Sequence, residues 1–294
     1  MDKRCTLCPR RCCAPRGDET PGGFCRSPLL PRVARAAAHY GEEPCIAGAN
    51  GTGAVFFTGC NLGCVYCQNR AISSGKGGKT LSVPELRALL LRLRDTGVDS
   101  IDLVTGAHFI PAIAEALSGL SLGIPVVWNS SGYESVEALC QLEGLVQVYM
   151  PDYKYSDPEA ARRYSAAADY PAVAREAITE MFRQTGPAEL DENGLLRRGV
   201  LIRHLILPGR LEDARDAVDF AADSFPPGSV LFSLMSQYTP MPGLDAFPEL
   251  QRRVTPEENE AMIHYLRVRG LNGYWQEGAA ATGEMIPDFD LTGL

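Results

Sequence analysis

Three closely spaced cysteines constrain this chain more than any other feature of its sequence. Cys60, Cys64 and Cys67 follow an apolar, aromatic-rich run, 54–58, that is typical of a buried strand. Their spacing, C-x3-C-x2-C, places three thiolates on one loop, where they can bind three irons of a [4Fe-4S] cluster. Cluster proteins that only carry electrons usually supply four cysteines. An iron without a protein ligand can bind a small molecule, so the motif predicts chemistry at the cluster.

Length and charge limit what kind of protein this can be. The chain has 294 residues, enough for one α/β barrel. Its net charge of −8 argues against a nucleic-acid-binding surface. No apolar run approaches the about 18 residues that a membrane span needs, and the first residues contain no apolar signal region. We therefore expect a cytoplasmic protein with no membrane partner, whose clustered cysteines bind metal instead of forming disulfides.

A second set of cysteines lies in the first 35 residues. Cys5, Cys8, Cys12 and Cys25 have the spacing C-x2-C-x3-C-x12-C. Four thiolates suit a closed site, either a structural zinc or a second iron–sulfur cluster, and the spacing leaves both open. The segment is rich in Cys, Arg, Pro and Gly, and such a composition cannot bury enough surface to fold without a metal. We predict a metal-binding extension over 1–35 and a main domain over 36–294.

The rest of the chain alternates between two patterns. Short apolar runs that predict buried strands occupy 54–58, 100–105, 124–128, 146–150, 200–207 and 230–234. Helical patterns follow at 82–95, 108–119, 134–143, 157–183, 211–224 and 255–269. Ser82 with Glu85 predicts a capping box at the start of the first of these helices. The alternation predicts an α/β fold, a partial (β/α)6 TIM-like barrel of parallel strands, with its chemistry at the carboxyl ends of the strands.

The cysteine loop, Cys60-Asn61-Leu62-Gly63-Cys64-Val65-Tyr66-Cys67, resembles that of the radical S-adenosylmethionine superfamily. Within it, the loop looks like that of glycyl-radical-enzyme activases, typified by the pyruvate formate-lyase activating enzyme. Further segments are similar to an uncharacterised, activase-like branch: 39–44, 128–135, 151–155, 202–209, 233–238 and 273–276. The resemblance therefore extends over nearly the whole chain.

The resemblance implies a [4Fe-4S] cluster whose open iron binds S-adenosylmethionine. It further implies reductive cleavage of that cofactor to a 5′-deoxyadenosyl radical, which takes hydrogen from a substrate, and an electron donor such as flavodoxin or ferredoxin. A protein glycine, a peptide or a small molecule is equally compatible as the substrate. The alternative function is a non-catalytic iron–sulfur redox sensor or electron carrier.

Residues at the strand ends are the candidates for contacts with the cofactor. They are Tyr66, Gly106, Asn129, Ser131, Asp152, Arg203, Ser233 and Met235, and the catalytic candidates are Asp152, Lys154, Arg203 and His108. Relatives commonly carry Gly-Gly-Glu after the second strand, whereas this chain has Thr105-Gly106-Ala107-His108 and lacks the glutamate. We expect His108 or backbone carbonyls to replace it, unless His108 is an ordinary residue at the start of a helix.

Each strand-end candidate also has a simpler explanation. Asn129, Ser130 and Ser131 either hydrogen-bond the ribose hydroxyls of the cofactor or cap the helix that follows. Asp152 and Lys154 lie two apart, so they face one side of an extended segment, as a polar pocket or as a surface salt bridge.

Two further candidates lie in or beside apolar strands, and one pair of acids precedes the first strand. Arg203 is costly in such a strand unless it is paired, and because His204 must face the other side we predict that Arg203 faces the pocket. Met235 lines either the cofactor or the core. Together with His39, Glu42 and Glu43 either cap the bottom of the barrel or line a substrate path.

Overall fold

One mixed sheet organises the part of the chain that the computed structural model describes, residues 4–275 and 287–294. Its strands are β1 (Arg32–His39), β2 (Thr52–Phe57), β3 (Lys79–Thr80), β4 (Ser100–Val104), β5 (Val126–Ser130), β6 (Val148–Pro151), β7 (Glu189–Leu190), β8 (Leu196–Leu205), β9 (Leu231–Met235) and β10 (Gly273–Trp275). Gln276, the last residue of one segment in the family resemblance, lies outside the described residues.

Helices connect most of these strands. They are α1 (Pro44–Ala47), α2 (Arg70–Ser73), α3 (Val83–Asp95), α4 (Ile110–Leu117), α5 (Val136–Leu139), α6 (Pro158–Ser165), α7 (Tyr170–Thr185), α8 (Leu211–Ser224) and α9 (Pro256–Val268). Short 3-10 helices occur at Ala107–Phe109, Cys140–Leu142 and Pro248–Leu250. No helix within the described residues is long and apolar enough to cross a membrane.

The strand order is β10-β9-β8-β6-β5-β4-β2-β1-β3, with β7 paired to β8 outside this path. All neighbours from β2 to β10 along this order are parallel, while β1, β3 and β7 pair antiparallel. The six predicted strands are all present as parallel strands, and the predicted α/β fold is confirmed. The carboxyl ends of these parallel strands therefore lie along one edge of the sheet, and the candidate site lies at that edge.

The two faces of the sheet differ in polarity because side chains alternate along each strand. Phe57, Leu103, Trp128 and Phe232 are buried in the main core with the helices. The opposite face points into the partial barrel, and polar side chains near the carboxyl ends of its strands occupy it: Asp102, Asn129, Asp152, Arg203 and Ser233.

One predicted helix is wrong in a way that affects the site. The pattern over 157–183 predicts a single helix, but the structure has two, α6 and α7, separated at Ala166. Ala166 adopts the left-handed conformation, with φ of 53°. The capping box at the start of α3 is present as predicted, since the side chain of Ser82 accepts from the Glu85 amide and the Glu85 carboxylate accepts from the Ser82 amide.

The amino end of the barrel is closed by α1. Cys45 and Ile46 of α1 pack with Val127, Val148 and Leu201, which point into the barrel from three strands. This position fits the first explanation for Glu42 and Glu43, because the segment before α1 caps the bottom of the barrel.

The first strand was not predicted, and it crosses the predicted domain boundary. β1 spans the boundary between residues 35 and 36, so the division into extension and main domain stays a prediction. The end of the chain also lies on β1, because the Ala36 amide donates to Thr292 O at 3.0 Å and the Leu291 amide donates to Ala34 O at 3.1 Å.

Candidate active site

The cysteine loop begins at Gly59, directly after β2. Gly59 has a φ of 83°, and a Cβ there would lie 2.5 Å from Cys25 O, so only glycine fits. Beneath the loop, the His108 ring bonds Thr58 O through Nε2 at 2.8 Å. Burial lowers the pKa of His108 to about 3, so the imidazole is neutral and donates this bond. His108 thus supports the start of the loop, and its proposed contact with the cofactor stays a prediction.

The middle of the loop is docked on the carboxyl end of α6. The Val65 amide donates to Tyr164 O at 2.9 Å, and the Gly63 amide donates to Ser165 O at 3.3 Å. The last carbonyls of a helix have no partner inside it. The break at Ala166, which the single predicted helix did not include, therefore provides the acceptors that hold the cysteine loop.

Polar hydrogens point at the thiols of this loop. The Ser165 hydroxyl donates to Cys64 Sγ at 3.0 Å, and the Leu62 amide donates to Cys60 Sγ at 3.3 Å. Burial and the neighbouring thiols raise the pKa of Cys60, while the Lys154 ammonium opposes the shift. Hydrogen bonds to sulfur and a nearby cation are features that stabilise bound thiolates. The loop therefore fits an iron–sulfur cluster.

The positions of the three thiols are compatible with a cluster. Within residues 4–275 and 287–294, no three Cys, His, Asp or Glu side chains are grouped so that they could hold one ion. A [4Fe-4S] cube does not need such convergence, because each thiolate binds a different iron.

Tyr66, the residue before the last cysteine, belongs to a buried chain of hydroxyls. Its hydroxyl shares a hydrogen bond of 2.6 Å with Tyr155, which in turn bonds Ser165 Oγ at 2.8 Å. The Tyr66 ring also meets Tyr238 edge-on, with centroids 5.9 Å apart. Tyr66, a predicted cofactor contact, is thus connected through Tyr155 to Ser165, the residue that donates to Cys64 Sγ.

Arg203 is the centre of the polar group inside the barrel. Its guanidinium donates to Asn129 Oδ1 at 2.7 Å, Asp152 Oδ1 at 3.1 Å and Glu42 Oε2 at 3.2 Å. Asn129 in turn donates to Glu42 and to Asp102, at 3.2 and 3.1 Å. We call Arg203, Asn129, Asp152, Glu42 and Asp102 the Arg203 network. The predicted pairing of Arg203 is present, and His204 faces the other side, bonded to a backbone carbonyl.

The charges in the Arg203 network are not equivalent. Although burial acts against it, Lys154 and Arg203 hold the pKa of Asp152 below its usual value. Burial and the neighbouring Glu42 raise the pKa of Asp102 well above the ordinary range. Asp102 Oδ1 has no hydrogen-bond partner among the described residues. The network therefore contains one ionised acid held by cations and one acid that favours its protonated form.

Lys154 connects the Arg203 network to the cysteine loop. Its Nζ donates to Asp152 Oδ2 at 2.5 Å, and both side chains are about one-sixth exposed, at 17% and 16%. This burial contradicts the surface salt-bridge explanation. Asp152 raises the pKa of Lys154 against the effect of burial, with a further contribution from Cys64. The ammonium is therefore charged near the cysteines.

The other strand-end candidates take varied positions. Ser233 donates to Glu43 Oε1 at 2.9 Å inside the barrel, while Met235 is buried beside Gln237. Ser131 offers its carbonyl to the Tyr170 hydroxyl at 2.8 Å. The helix-capping explanation for Asn129 and Ser131 is wrong, because Ser135 caps α5 instead.

Gly106 has a packing reason to be glycine. A Cβ there would lie 2.8 Å from Trp128 Cη2 and 2.9 Å from Ile113 Cδ1. Because Gly106 has no side chain, Trp128 can fill the core beneath the end of β4. The contact between Gly106 and the cofactor stays a prediction.

Sequence reasoning missed Asp102 and Ser165. Asp102 carried the same signal as Arg203, a charged side chain inside an apolar strand. Ser165 was missed because its position beside Cys64 depends on the end of α6, which the single predicted helix did not include.

Comparisons with known proteins agree with this geometry. A family model described as the radical SAM superfamily matches residues 54–221, which contain the cysteine loop and most of the Arg203 network. An uncharacterised protein of Methanocaldococcus jannaschii, MJ0674, is 31% identical in an alignment of 272 positions that covers 89% of this chain and 73% of that protein.

Solved structures with a similar arrangement share little sequence. SuiB from Streptococcus suis matches 77% of this chain and 50% of its own, with 14% identity and a TM-score of 0.48. A domain of a pyruvate-formate lyase-activating enzyme from Bacteroides vulgatus matches 57% of this chain and 89% of its own, with 13% identity and a TM-score of 0.41. HydG, a maturase of the [FeFe]-hydrogenase, matches 74% and 54%, with 14% identity and a TM-score of 0.44.

The family model covers more than half of the chain and includes its cysteine triplet, and the relative spans most of both proteins. The chain therefore belongs to the radical S-adenosylmethionine superfamily.

Proposed function

We propose that this protein is an activase-like radical enzyme that binds a [4Fe-4S] cluster through Cys60, Cys64 and Cys67 and cleaves S-adenosylmethionine reductively. The observation that carries the proposal is the docking of the three-cysteine loop on α6, with Ser165 donating to Cys64 Sγ at 3.0 Å. When bound, the cluster would supply the electron for this cleavage, which would give methionine and the 5′-deoxyadenosyl radical that takes hydrogen from a substrate.

The protein's own residues hold and orient the reactants. The Arg203 network and Lys154 provide charged groups of both signs inside the barrel. Lys154 connects these groups to the cysteine loop. Arg203 and Lys154 suit the cofactor carboxylate, and Asp152, which stays ionised, suits its amino group. Because this chain lacks the glutamate that relatives commonly carry after β4, Asp152, directly after β6, would bind the amino group instead. The buried tyrosines around Tyr66 exclude water from the loop.

The substrate is hydrogen-bearing and organic, and a protein glycine, a peptide and a small molecule all remain within the proposal. The electron comes from a flavodoxin- or ferredoxin-class donor. Hydrogen abstraction predicts that deuterium from a labelled substrate appears in 5′-deoxyadenosine, which identifies a substrate among candidate glycine-containing peptides and small molecules.

The test is formation of 5′-deoxyadenosine by the anaerobically reconstituted, reduced protein. Cys64→Ala should abolish the product, while Cys140→Ala, which changes an exposed cysteine bonded to Glu180 of α7, should retain it. No product above a cluster-free control from the wild type would leave the alternative, a non-catalytic iron–sulfur sensor or carrier.

A further inference from the structure

The four amino-terminal cysteines lie together in the folded chain. The thiols of Cys5, Cys12 and Cys25 are close enough to Cys8 that their charges all act on it. A Cβ on Gly23 would lie 3.0 Å from Cys12 Sγ and 4.0 Å from Cys25 Sγ. The turn at Gly23 therefore brings the distant Cys25 back to the first three cysteines. We call these four thiols the amino-terminal thiol set.

Several N–H groups point at the sulfurs of this set. Arg16 Nη1 donates to Cys5 Sγ at 3.4 Å. Burial raises the pKa of Cys8 to about 11, and the backbone N–H of Arg10 opposes this rise. The backbone N–H groups of Ala14 and Phe24 lower the pKa of Cys12 against the effect of burial. Thiols that collect amide and guanidinium donors are prepared to be thiolate ligands, because such bonds stabilise negative sulfur.

The segment that carries these cysteines has no apolar core of its own. Between residues 4 and 30 its buried side chains are Arg16, Cys25, Ser27 and Pro28. Arg11 and Cys13 nevertheless hold left-handed conformations, with φ of 39° and 51°. A tight, strained loop without apolar burial needs another source of folding free energy, and metal binding is the usual one.

We propose that Cys5, Cys8, Cys12 and Cys25 bind a second [4Fe-4S] cluster, which lies against the loop of the first. A cluster is favoured over zinc because the segment is bonded to the groups that support the Cys60–Cys67 loop, where a second cluster could pass electrons to the first. Four thiolates match the four irons of a cube, so this cluster is closed and has no site for S-adenosylmethionine.

Two arginines place the second cluster beside the first. Arg10, between Cys8 and Cys12, donates to Asn61 O at 2.8 Å and to Ser165 O at 3.1 Å. Arg16, which bonds Cys5, also donates to His108 O at 2.9 Å. Each arginine therefore connects the amino-terminal thiol set to a group that supports the cysteine loop of Cys60, Cys64 and Cys67.

The proposal is independent of the proposed function, and its test uses a protein that lacks the first cluster. A variant with Cys60, Cys64 and Cys67 all changed to Ala is reconstituted anaerobically with iron and sulfide, and its metal content is measured. We expect about four irons per chain and no zinc, with the absorption of an iron–sulfur cluster. In the same background, Cys8→Ala should lose this iron, and Cys13→Ala, the adjacent exposed cysteine, should keep it.

Two results would overturn the proposal: about one zinc and no iron per chain, or no metal at all. If the triple variant does not fold, as judged by circular dichroism, the wild type decides the question. About eight irons per chain in the wild type and about four in Cys8→Ala support a second cluster, and equal iron in the two proteins refutes it. Production of 5′-deoxyadenosine is measured separately on the wild type, so failure of the catalytic proposal is distinguishable.

Discussion

Ser165 and Cys64 are 101 residues apart in the sequence, yet the Ser165 hydroxyl donates to the Cys64 sulfur at 3.0 Å. Ser165 is the last residue of α6, and its carbonyl also accepts from the cysteine loop. One helix end therefore fixes both the backbone of the loop and the electronic surroundings of one predicted cluster ligand.

Changing Ser165 to Ala should lower the reduction potential of the reconstituted cluster. A hydrogen bond to a cluster thiolate stabilises the reduced state, which carries more negative charge, so its loss makes reduction harder. A redox titration followed by electron paramagnetic resonance measures the change. Ser156→Ala is the matched control, because Ser156 bonds Asp213 and not the loop. Equal potentials for Ser165→Ala and the wild type would contradict this role.

Arg203→Gln should destabilise the protein by about 3–5 kcal/mol, because it leaves Asp152 and Glu42 as buried acids without their shared partner. The side chain of Arg203 is only 13% exposed, so solvent compensates little. Urea denaturation gives the free energy of unfolding. Arg215→Gln removes an exposed ion pair with Glu212 and should cost less than about 1 kcal/mol. The interpretation fails if the two variants lose similar stability.

The strands could be predicted from the sequence because parallel strands are buried on both faces and read as apolar runs. The break between α6 and α7 was missed although the sequence carries a signal for it, because Pro171 lies in the first turn of α7 and a proline inside a helical pattern marks a helix boundary. The alanines before it are good helix formers and favoured one continuous helix.

The candidate site was predictable only in part, for a related reason. Arg203 and Asp152 were found because a charge inside or beside an apolar run must have a partner. The sequence did not indicate that Glu42 is one of the partners of Arg203, because the two residues are 161 positions apart. Glu42 precedes α1, and nothing in its local pattern indicates that α1 closes the barrel below Arg203.

Glu134 should make the stability depend on pH between about pH 4.5 and 8. Burial raises the pKa of Glu134 from 4.5 to about 8. The folded state then binds this proton more tightly than the unfolded state. The contribution of protonated Glu134 to the free energy of unfolding is therefore complete below pH 4.5 and is lost as the pH rises toward 8. Glu134→Gln has a neutral side chain at every pH, so it avoids this loss, which amounts to up to about 1.4 kcal/mol per pH unit.

Urea denaturation at pH 5, 6, 7 and 8 measures this effect as the difference between Glu134→Gln and the wild type. The difference should shift steadily in favour of the variant as the pH rises. Glu137→Gln, an exposed change in the same segment, should show a constant difference. Parallel curves for Glu134→Gln and the wild type would show that Glu134 does not hold its proton.

Arg10→Gln should loosen the cysteine loop without altering any cysteine. The guanidinium of Arg10 bonds Asn61 O and the carbonyls of Ser165 and Ala166, and it lies 3.8 Å from the centre of the Phe24 ring. Glutamine cannot reach these acceptors together, and carbonyls left without donors cost about 1–3 kcal/mol. Amide hydrogen exchange should therefore become faster at Gly63 and Val65, whose bonds to α6 depend on the same helix end.

Arg11→Gln changes the exposed neighbour and should leave exchange at both amides as in the wild type. Unchanged exchange in Arg10→Gln would mean that α6 alone holds the loop, and that the amino-terminal segment only covers it.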